Sequence, residues 1–300
     1  MKYTELSLYN ESGEAPIINL SLVLIFGILI TLFASYFYSL IVTFMPLIYF
    51  NFILGLVFGY SISQISYLLN RVFKIRNRKK SIIITLTLAI LGVYFQWVSY
   101  FYIISVEEVK LVIDTNFFIQ ILTRPDLLIE NIIILNKTGS WELFGFLIKN
   151  FSLSIIWILE ATIIILMAYS GYKNINIEPF SESTNKWYKK LYIDKDFEQI
   201  HLKKDFIEHF NNSVFDTINS LKYGNANRYS RIYIYYLKSE TRSLISIENV
   251  LISHNDNGKK EVTEILPPCY IGMDTISQLK KEFGLKKISL IDSIKDLYQQ

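Results

Sequence analysis

Four long apolar runs, residues 17–44, 46–69, 81–104 and 151–171, fill most of the first 171 positions of a 300-residue chain. Between them they hold one formally charged side chain, Glu160. Crossing the hydrocarbon core of a bilayer takes about 20 helical residues. No water is present there to satisfy backbone groups left open. The runs therefore predict four transmembrane helices. The first sixteen residues are led by Lys2 against Glu5, Glu11 and Glu14. A cleaved secretory signal needs a positive lead and a shorter apolar run, so 17–44 reads as a retained span.

Charge between the runs sets the expected orientation. Arg71, Lys74, Arg76, Arg78, Lys79 and Lys80 lie between the second and third runs with no acid among them. Short positive loops stay cytoplasmic. Residues 105–150 carry four positives (Lys110, Arg124, Lys137, Lys149) against six acids (Glu107, Glu108, Asp114, Asp126, Glu130, Glu142), which places that loop outside. Pro46 suits a first helical turn after the tight joint at 43–46. Both termini are then cytoplasmic, in an inner (plasma) membrane. Richness in Ile, Asn, Lys, Tyr and Phe points to an AT-rich, bacterial genome. The basic run is expected to lock the topology and to meet anionic lipid headgroups, each cation contributing about 1 kcal/mol.

Lipid gives no hydrophobic drive between helices, so packing calls for small residues and polar contacts. Stripes with that character recur: Gly27, Thr31, Ser35 and Ser39 in the first run; Asn51, Gly55, Gly59 and Ser63 in the second; Thr85, Ala89, Gly92, Gln96 and Ser99 in the third. They predict a compact four-helix bundle or contact with a second copy. Glu160 is costly as a bare carboxylate, which calls for a protonated or a paired group. Gln96 lies at similar depth, with Ser35 and Asn51 in the same outer half, so a polar cluster of Glu160, Gln96, Ser35 and Asn51 is expected. It would serve as interhelical glue or as a proton or cation relay.

The outer loop carries helix signals. Ser105 with Glu108 makes a capping box. Pro125-Asp126 opens an apolar run over 127–135, and Gly139 with Ser140 closes it and caps another from Trp141 into the fourth span. Short amphipathic helices in the interface are expected.

From Tyr172 onward the chain holds 19 Lys/Arg and 17 Asp/Glu, an ordinary soluble balance. Residues 172–195 read as a linker, and 196–300 as a small cytoplasmic α+β domain. Ile200, Ile207, Phe210, Val214, Ile218 and Leu221 share one helical face. Ile232, Ile234 and Tyr236 alternate, 244–252 is β-rich, and 255–258 (Asn-Asp-Asn-Gly) supplies a turn before a strand over 259–266 that Pro267-Pro268 ends. Residues 274–283 and 288–298 read as closing helices. The expectation is an all-α membrane bundle with a helix, a three-stranded antiparallel meander and closing helices behind it.

Chemistry in the tail is sparse. His201, Asp205 and His209 fall at i, i+4, i+8, a spacing open to a metal, but on the solvated face opposite the apolar stripe. Cys269, the single cysteine, permits no intramolecular disulfide, and as a nucleophile it would need His254 as its base. No phosphate loop, dinucleotide fingerprint, nucleophile elbow or zinc spacing occurs. No catalytic, cofactor or metal site is assigned, and a net charge of +3 without a basic reader face gives no case for nucleic acid. The expected function is a non-enzymatic membrane anchor or scaffold. Its partners would be the bilayer and a docked protein or a second copy, in a secretion or envelope assembly. A small transporter or channel using Glu160 is the alternative, with a substrate the sequence does not name, and a sensor passing an outside signal to the tail is the other.

Overall fold

The computed structural model describes residues 7–45, 48–105, 115–139, 141–143, 146–175, 177–225, 227–252 and 260–287. The chain divides into two compact units. Ser12–Asn176 makes one, and Met1–Glu11 joins Ile177–Gln300 in the other.

The first unit is built on α1 (Ile17–Phe44), α2 (Ile48–Val72), α3 (Arg78–Ser105), α4 (Thr115–Thr123), α5 (Pro125–Thr138), a β1–β2 hairpin (Trp141–Leu143, Phe146–Ile148) and α6 (Asn150–Lys173). Helices α1, α2, α3 and α6 are long and apolar enough to cross a membrane. At 24 to 28 residues each measures roughly 36 to 42 Å. Helix α1 packs on α3 and α2, and α6 on α2 and α3. Helices α2 and α3 also touch each other, and the four surround a core of Val23, Phe58, Ile62, Leu88, Ala89 and Ile164.

Helices α2 and α3 overrun their apolar runs into the basic segment, because a built turn decides where they stop. Lys74 takes φ 57°. The Ile75 N–H donates to Asn70 O at 2.8 Å and the Lys74 N–H to Arg71 O at 3.2 Å. That is a Schellman ending, with lysine where glycine is usual, and buried Ile75 supplies its apolar contact. Asn77 then caps α3, its Oδ1 accepting the Lys80 N–H at 3.0 Å.

In the predicted outer loop, α5 begins with Pro125 in its first turn and stops at Gly139, φ 89°. Residues 141–143 and 146–148 are the paired strands of the hairpin and not the start of a helix: aromatic and branched Phe146-Leu147-Ile148 favour extended backbone. Ser105 is the last residue of α3, while Glu108, Ser140 and Pro46 lie outside the described residues.

The second unit opens on a β3–β4 hairpin (Phe180–Ser181, Lys186–Trp187) and β5 (Lys189–Ile193). Then follow α7 (Lys203–Asn212), α8 (Val214–Asn219), β6 (Arg228–Tyr236), β7 (Arg242–Ile252), β8 (Lys260–Gly272), α9 (Met273–Phe283) and β9 (Leu285–Lys287). The five longer-range strands make one antiparallel sheet in the order β8-β7-β6-β5-β9. Its central hairpins are the predicted meander. Alternation puts Ile232, Ile234, Ile245 and Ile247 into the core with Phe206, Phe210, Ile218 and Leu279 of the helices. Tyr233, Tyr235 and Leu244 gather in a separate cluster with Tyr188.

Three expectations need correcting here. The segment 172–195 is not a plain linker, since Leu191 and Ile193 of β5 pair with the sheet. The single helix over 200–221 is two, parted at Ser213, whose extended backbone starts α8 and whose Oγ accepts the Asp216 N–H. Pro267-Pro268 does not end the strand. Register shifts lie between the Ile245↔Cys269, Ile247↔Leu266 and Glu248↔Glu264 pairs, so Ile265 and the two prolines sit in bulges and β8 runs on to Gly272. A bulge removes the demand for a proline N–H. Residues 253–259 and 288–300, including the predicted turn and last helix, lie outside the described residues.

Candidate functional site

Glu160 is the one acid within the four long helices, and it is 4% exposed. Its Oε1 accepts the Tyr38 hydroxyl at 2.5 Å. Tyr38 comes from α1, so the bond joins two helices that pack mainly on other neighbours. The Tyr38 ring is fixed by stacking on Phe58 of α2, with centroids 4.6 Å apart. The hydroxyl lies 3.8 Å from where a Cβ on Gly55 would be, an ordinary contact. The partner expected from depth, Gln96, is not the one found: its backbone carbonyl accepts from Ser39 at 2.8 Å. Ser35 is equally committed to backbone, reaching Thr31 O at 2.7 Å and Gly92 O at 3.2 Å. Asn51 is 2% exposed. Both atoms of its amide lack a hydrogen-bond partner among the described residues. Tyr38 was missed because a tyrosine in an apolar, aromatic-rich run reads as core. Its place one helical turn beyond Thr31 and Ser35's face gives only a weak signal.

The small residues sit at helix contacts. A methyl group on Gly27 would meet Leu88 at 2.8 Å and one on Gly92 would meet Ile62 at 2.9 Å, while one on Gly59 would collide with the Ile164 carbonyl. Ser63 faces Gly171, and Ala89 is fully buried. A second polar group lies at the other end of the core. Ser66 and Thr85 share a 2.7 Å hydrogen bond, and Asn70 donates to Ser66 at 3.2 Å and to Tyr172 at 3.4 Å. Buried Phe58, Ile62, Leu88 and Ile164 make up the apolar core of the same unit.

The six basic residues are not equivalent. Arg76 pairs with Glu14 at 2.5 Å and bonds Ser12 at 3.1 Å and Lys74 O at 2.9 Å, leaving 9% of its side chain exposed. Arg71 reaches Tyr67 at 3.2 Å, and Arg78 reaches the last carbonyl of α6, Lys173 O, at 2.5 Å. Lys79 and Lys80 are exposed and Lys74 is half-buried.

In the sheet unit, Cys269 is fully buried, and burial pushes its thiol up to about 12. His254 lies outside the described residues. The His201, Asp205, His209 line does not hold as one helical face, since α7 starts only at Lys203. His209 Nδ1 is 2.7 Å from the Asp205 carbonyl. Among the described residues no three His, Cys, Asp or Glu side chains are grouped to hold a metal. The amino-terminal segment is part of this unit. The Tyr270 N–H donates to Ser7 O at 2.9 Å and the Tyr9 N–H to Pro268 O at 2.8 Å, pairing Leu8 with Cys269. Ser181 and Ser183 both donate to Glu240, which holds its carboxyl below the usual range and ties the β3–β4 hairpin to the β6–β7 turn.

No family model matches this chain, and neither a curated protein nor a solved structure is significantly similar to it.

Proposed function

We propose that this chain is a multi-pass protein of the inner (plasma) membrane, a non-enzymatic anchor that presents its α+β unit on the cytoplasmic side for a protein partner. On this reading α1, α2, α3 and α6 span the bilayer as a four-helix bundle. The pairing of residues 7–9 with β8 carries the proposal. Residues ahead of the first long apolar helix and residues beyond the last belong to one folded unit. An even number of crossings brings both to one face of a membrane. The basic turn between α2 and α3 lies on that face too, and positive loops favour the cytoplasm.

The anchor reading gains from how the reactive groups are used. Glu160 is occupied by Tyr38, and Cys269 is shut into the sheet core. The test has two parts. Asn77→Cys should be labelled by a membrane-impermeant maleimide only after cells are opened, with Asn131→Cys on α5 labelled in intact cells. The intact protein, extracted gently from its native membrane, should carry a partner at fixed stoichiometry. Labelling of Asn77→Cys from outside would reverse the orientation, and a solitary monomer would remove the docking role.

A transport reading is favoured by one observation, the amide of Asn51 inside the helical unit, which has no hydrogen-bond partner among the described residues. Proteoliposome flux of protons or monovalent cations that disappears in Glu160→Gln would establish it over the anchor.

A further inference from the structure

We propose that α4 and α5 form a re-entrant hairpin in the outer half of the bilayer, and that its charged tip is covered by the tip of a second copy of this chain. The inference rests on the four-span reading above and goes beyond it. Its first support is the path of α4 along α3. Phe117 and Phe118, near the start of α4, meet Tyr102 with ring centroids 6.0 and 5.4 Å apart. At the other end of α4, the Leu122 carbonyl accepts the Tyr94 hydroxyl at 2.8 Å. Helical side chains tilt toward the amino terminus. For α3 that is the inner end, so the hydroxyl lies no shallower than the Tyr94 backbone. Tyr94 is about 15 Å below Ile104, where the apolar run of α3 ends. Helix α4 thus descends antiparallel to α3. Helix α5 climbs back: Leu128 packs in one cluster with Ile121 and Val98, and Asn136 Nδ2 donates at 3.0 Å to Asn150 O and to Ser154 Oγ at the outer end of α6. Asn131 lies on this climb, nearer the outside than the tip. Burial along α3 records the same path. Ile83, Thr87 and Ile90 are exposed on its inner half, whereas between Phe95 and Ile103 only Trp97 and Tyr100 escape burial. A helix buried over consecutive residues has neighbours on several sides, and here the hairpin supplies one of them.

The turn joining the two helices carries Arg124 and Asp126, which pair at 2.6 Å and keep 54% and 56% of their side chains exposed. Gln120, Thr123 and Glu130 around it are exposed as well. Lipid tails are a poor surrounding for such a face. Re-entrant segments persist where protein or water covers them, and charges at that depth face protein or a water-filled cavity. The described residues of one chain leave the face open, and a second copy fits it. A two-fold axis along the membrane normal brings residues of equal depth together. At the tip those are one cation and one anion, two positions apart in the chain. Arg124 of each copy then meets Asp126 of the other, and the four charges alternate in sign. An occupant bearing one sign of charge would leave one member of the pair opposed. Exposed Ile119 and Ile129 flank the tip and add apolar contact.

Charge exchange between copies tests the contact. Full-length chains carrying donor or acceptor fluorophores are reconstituted in liposomes, and energy transfer is followed as lipid dilutes the protein. The parent should self-associate. Arg124→Glu and Asp126→Arg each place like charges at the tip, and each alone should associate at least about tenfold more weakly. An equal mixture of the two variants should regain the parental association, which a pair acting within one chain cannot produce. A parent that stays monomeric, variants that associate as the parent does, or a mixture no stronger than its parts overturns the proposal. Depth is read separately, from a fluorophore on Gln120→Cys in a Cys269→Ala background. Nitroxides on lipid acyl chains should quench it more than nitroxides on headgroups, as they should for Ile90→Cys on α3. Stronger headgroup quenching at Gln120→Cys alone lays the hairpin flat on the surface and overturns the proposal with the spans intact. The same result at Ile90→Cys overturns the four-span reading and the proposal together.

Discussion

The Tyr38 hydroxyl and the Glu160 carboxyl are each other's means of being buried. A carboxyl among apolar helices is costly without a donor, and a buried phenol needs a polar contact. Interhelical bonds inside membrane bundles are worth about 1 kcal/mol, because the separated helices find other partners. Tyr38→Phe should therefore lower stability in detergent by about 1 kcal/mol. A double-mutant cycle with Glu160→Gln should return a coupling of that size, and a coupling near zero would show that the pair is incidental. Cys269 makes a second prediction at this scale. Burial raises its thiol from 9.0 to about 12, so the folded state holds the proton more tightly than the unfolded chain. The stability this confers is complete below pH 9 and is lost as pH climbs from 9 toward 12. Tyr235, also pushed up to about 12 by burial, adds to the same decline from pH 10. Urea midpoints measured between pH 8 and 11 should fall, and fall less steeply in Cys269→Ala.

Among the elements, the Gly55–Gly59 pair of α2 separates a motif from its physics. The two look alike in sequence, four apart on one stripe. A methyl on Gly55 would meet its nearest neighbours at 3.7 to 3.8 Å, an ordinary contact, whereas on Gly59 it would strike the Ile164 backbone of α6. Gly55→Ala should be neutral or gain up to about 1 kcal/mol from helix propensity. Gly59→Ala should cost about 1–3 kcal/mol by forcing the helices apart. Thermal unfolding of both variants in one detergent compares them, and equal effects would contradict the close approach. Helix existence was legible because apolar length reports it directly. Helix endings were not, since the turn at 73–77 relies on a left-handed lysine and an asparagine cap within a segment whose charge drew the attention. Ser213 hid similarly: the apolar stripe at 200–221 continues in phase across a break that only its backbone reveals. Ser213→Ala should cost about 1 kcal/mol in urea unfolding of the sheet unit, the usual loss for a helix cap.

Across the whole molecule, sequence separation is what concealed the rest. Residues 7–9 are too few and too polar to read as a strand, and their partner lies some 260 positions away, with two prolines between Leu266 and Cys269 that argue against any strand there. Likewise Lys189–Ile193 resembles a linker until β6 and β9 flank it. The placement of residues 7–9 is what joins the amino-terminal segment to the sheet unit, so its energetics can be tested on their own. Tyr9 is the pin. Its hydroxyl donates to the Phe180 carbonyl at 3.1 Å and accepts the Phe180 N–H at 2.8 Å, and its ring meets Tyr270 edge-on at 6.3 Å. Tyr9→Phe keeps the ring and removes both bonds at Phe180, a loss of about 1–2 kcal/mol. The effect should appear locally, as faster amide exchange at Tyr9, Phe180 and Tyr270, while the β6–β7 pairs exchange as before. Tyr9→Ala, which also removes the ring, should free residues 7–9 enough for limited proteolysis to cut there without unfolding the sheet. Resistance equal to the parent in both variants would mean that the amino-terminal strand is held by something other than Tyr9. Uniformly faster exchange across the sheet would mean that the strand is part of the sheet's core stability and not a separable clasp upon its edge.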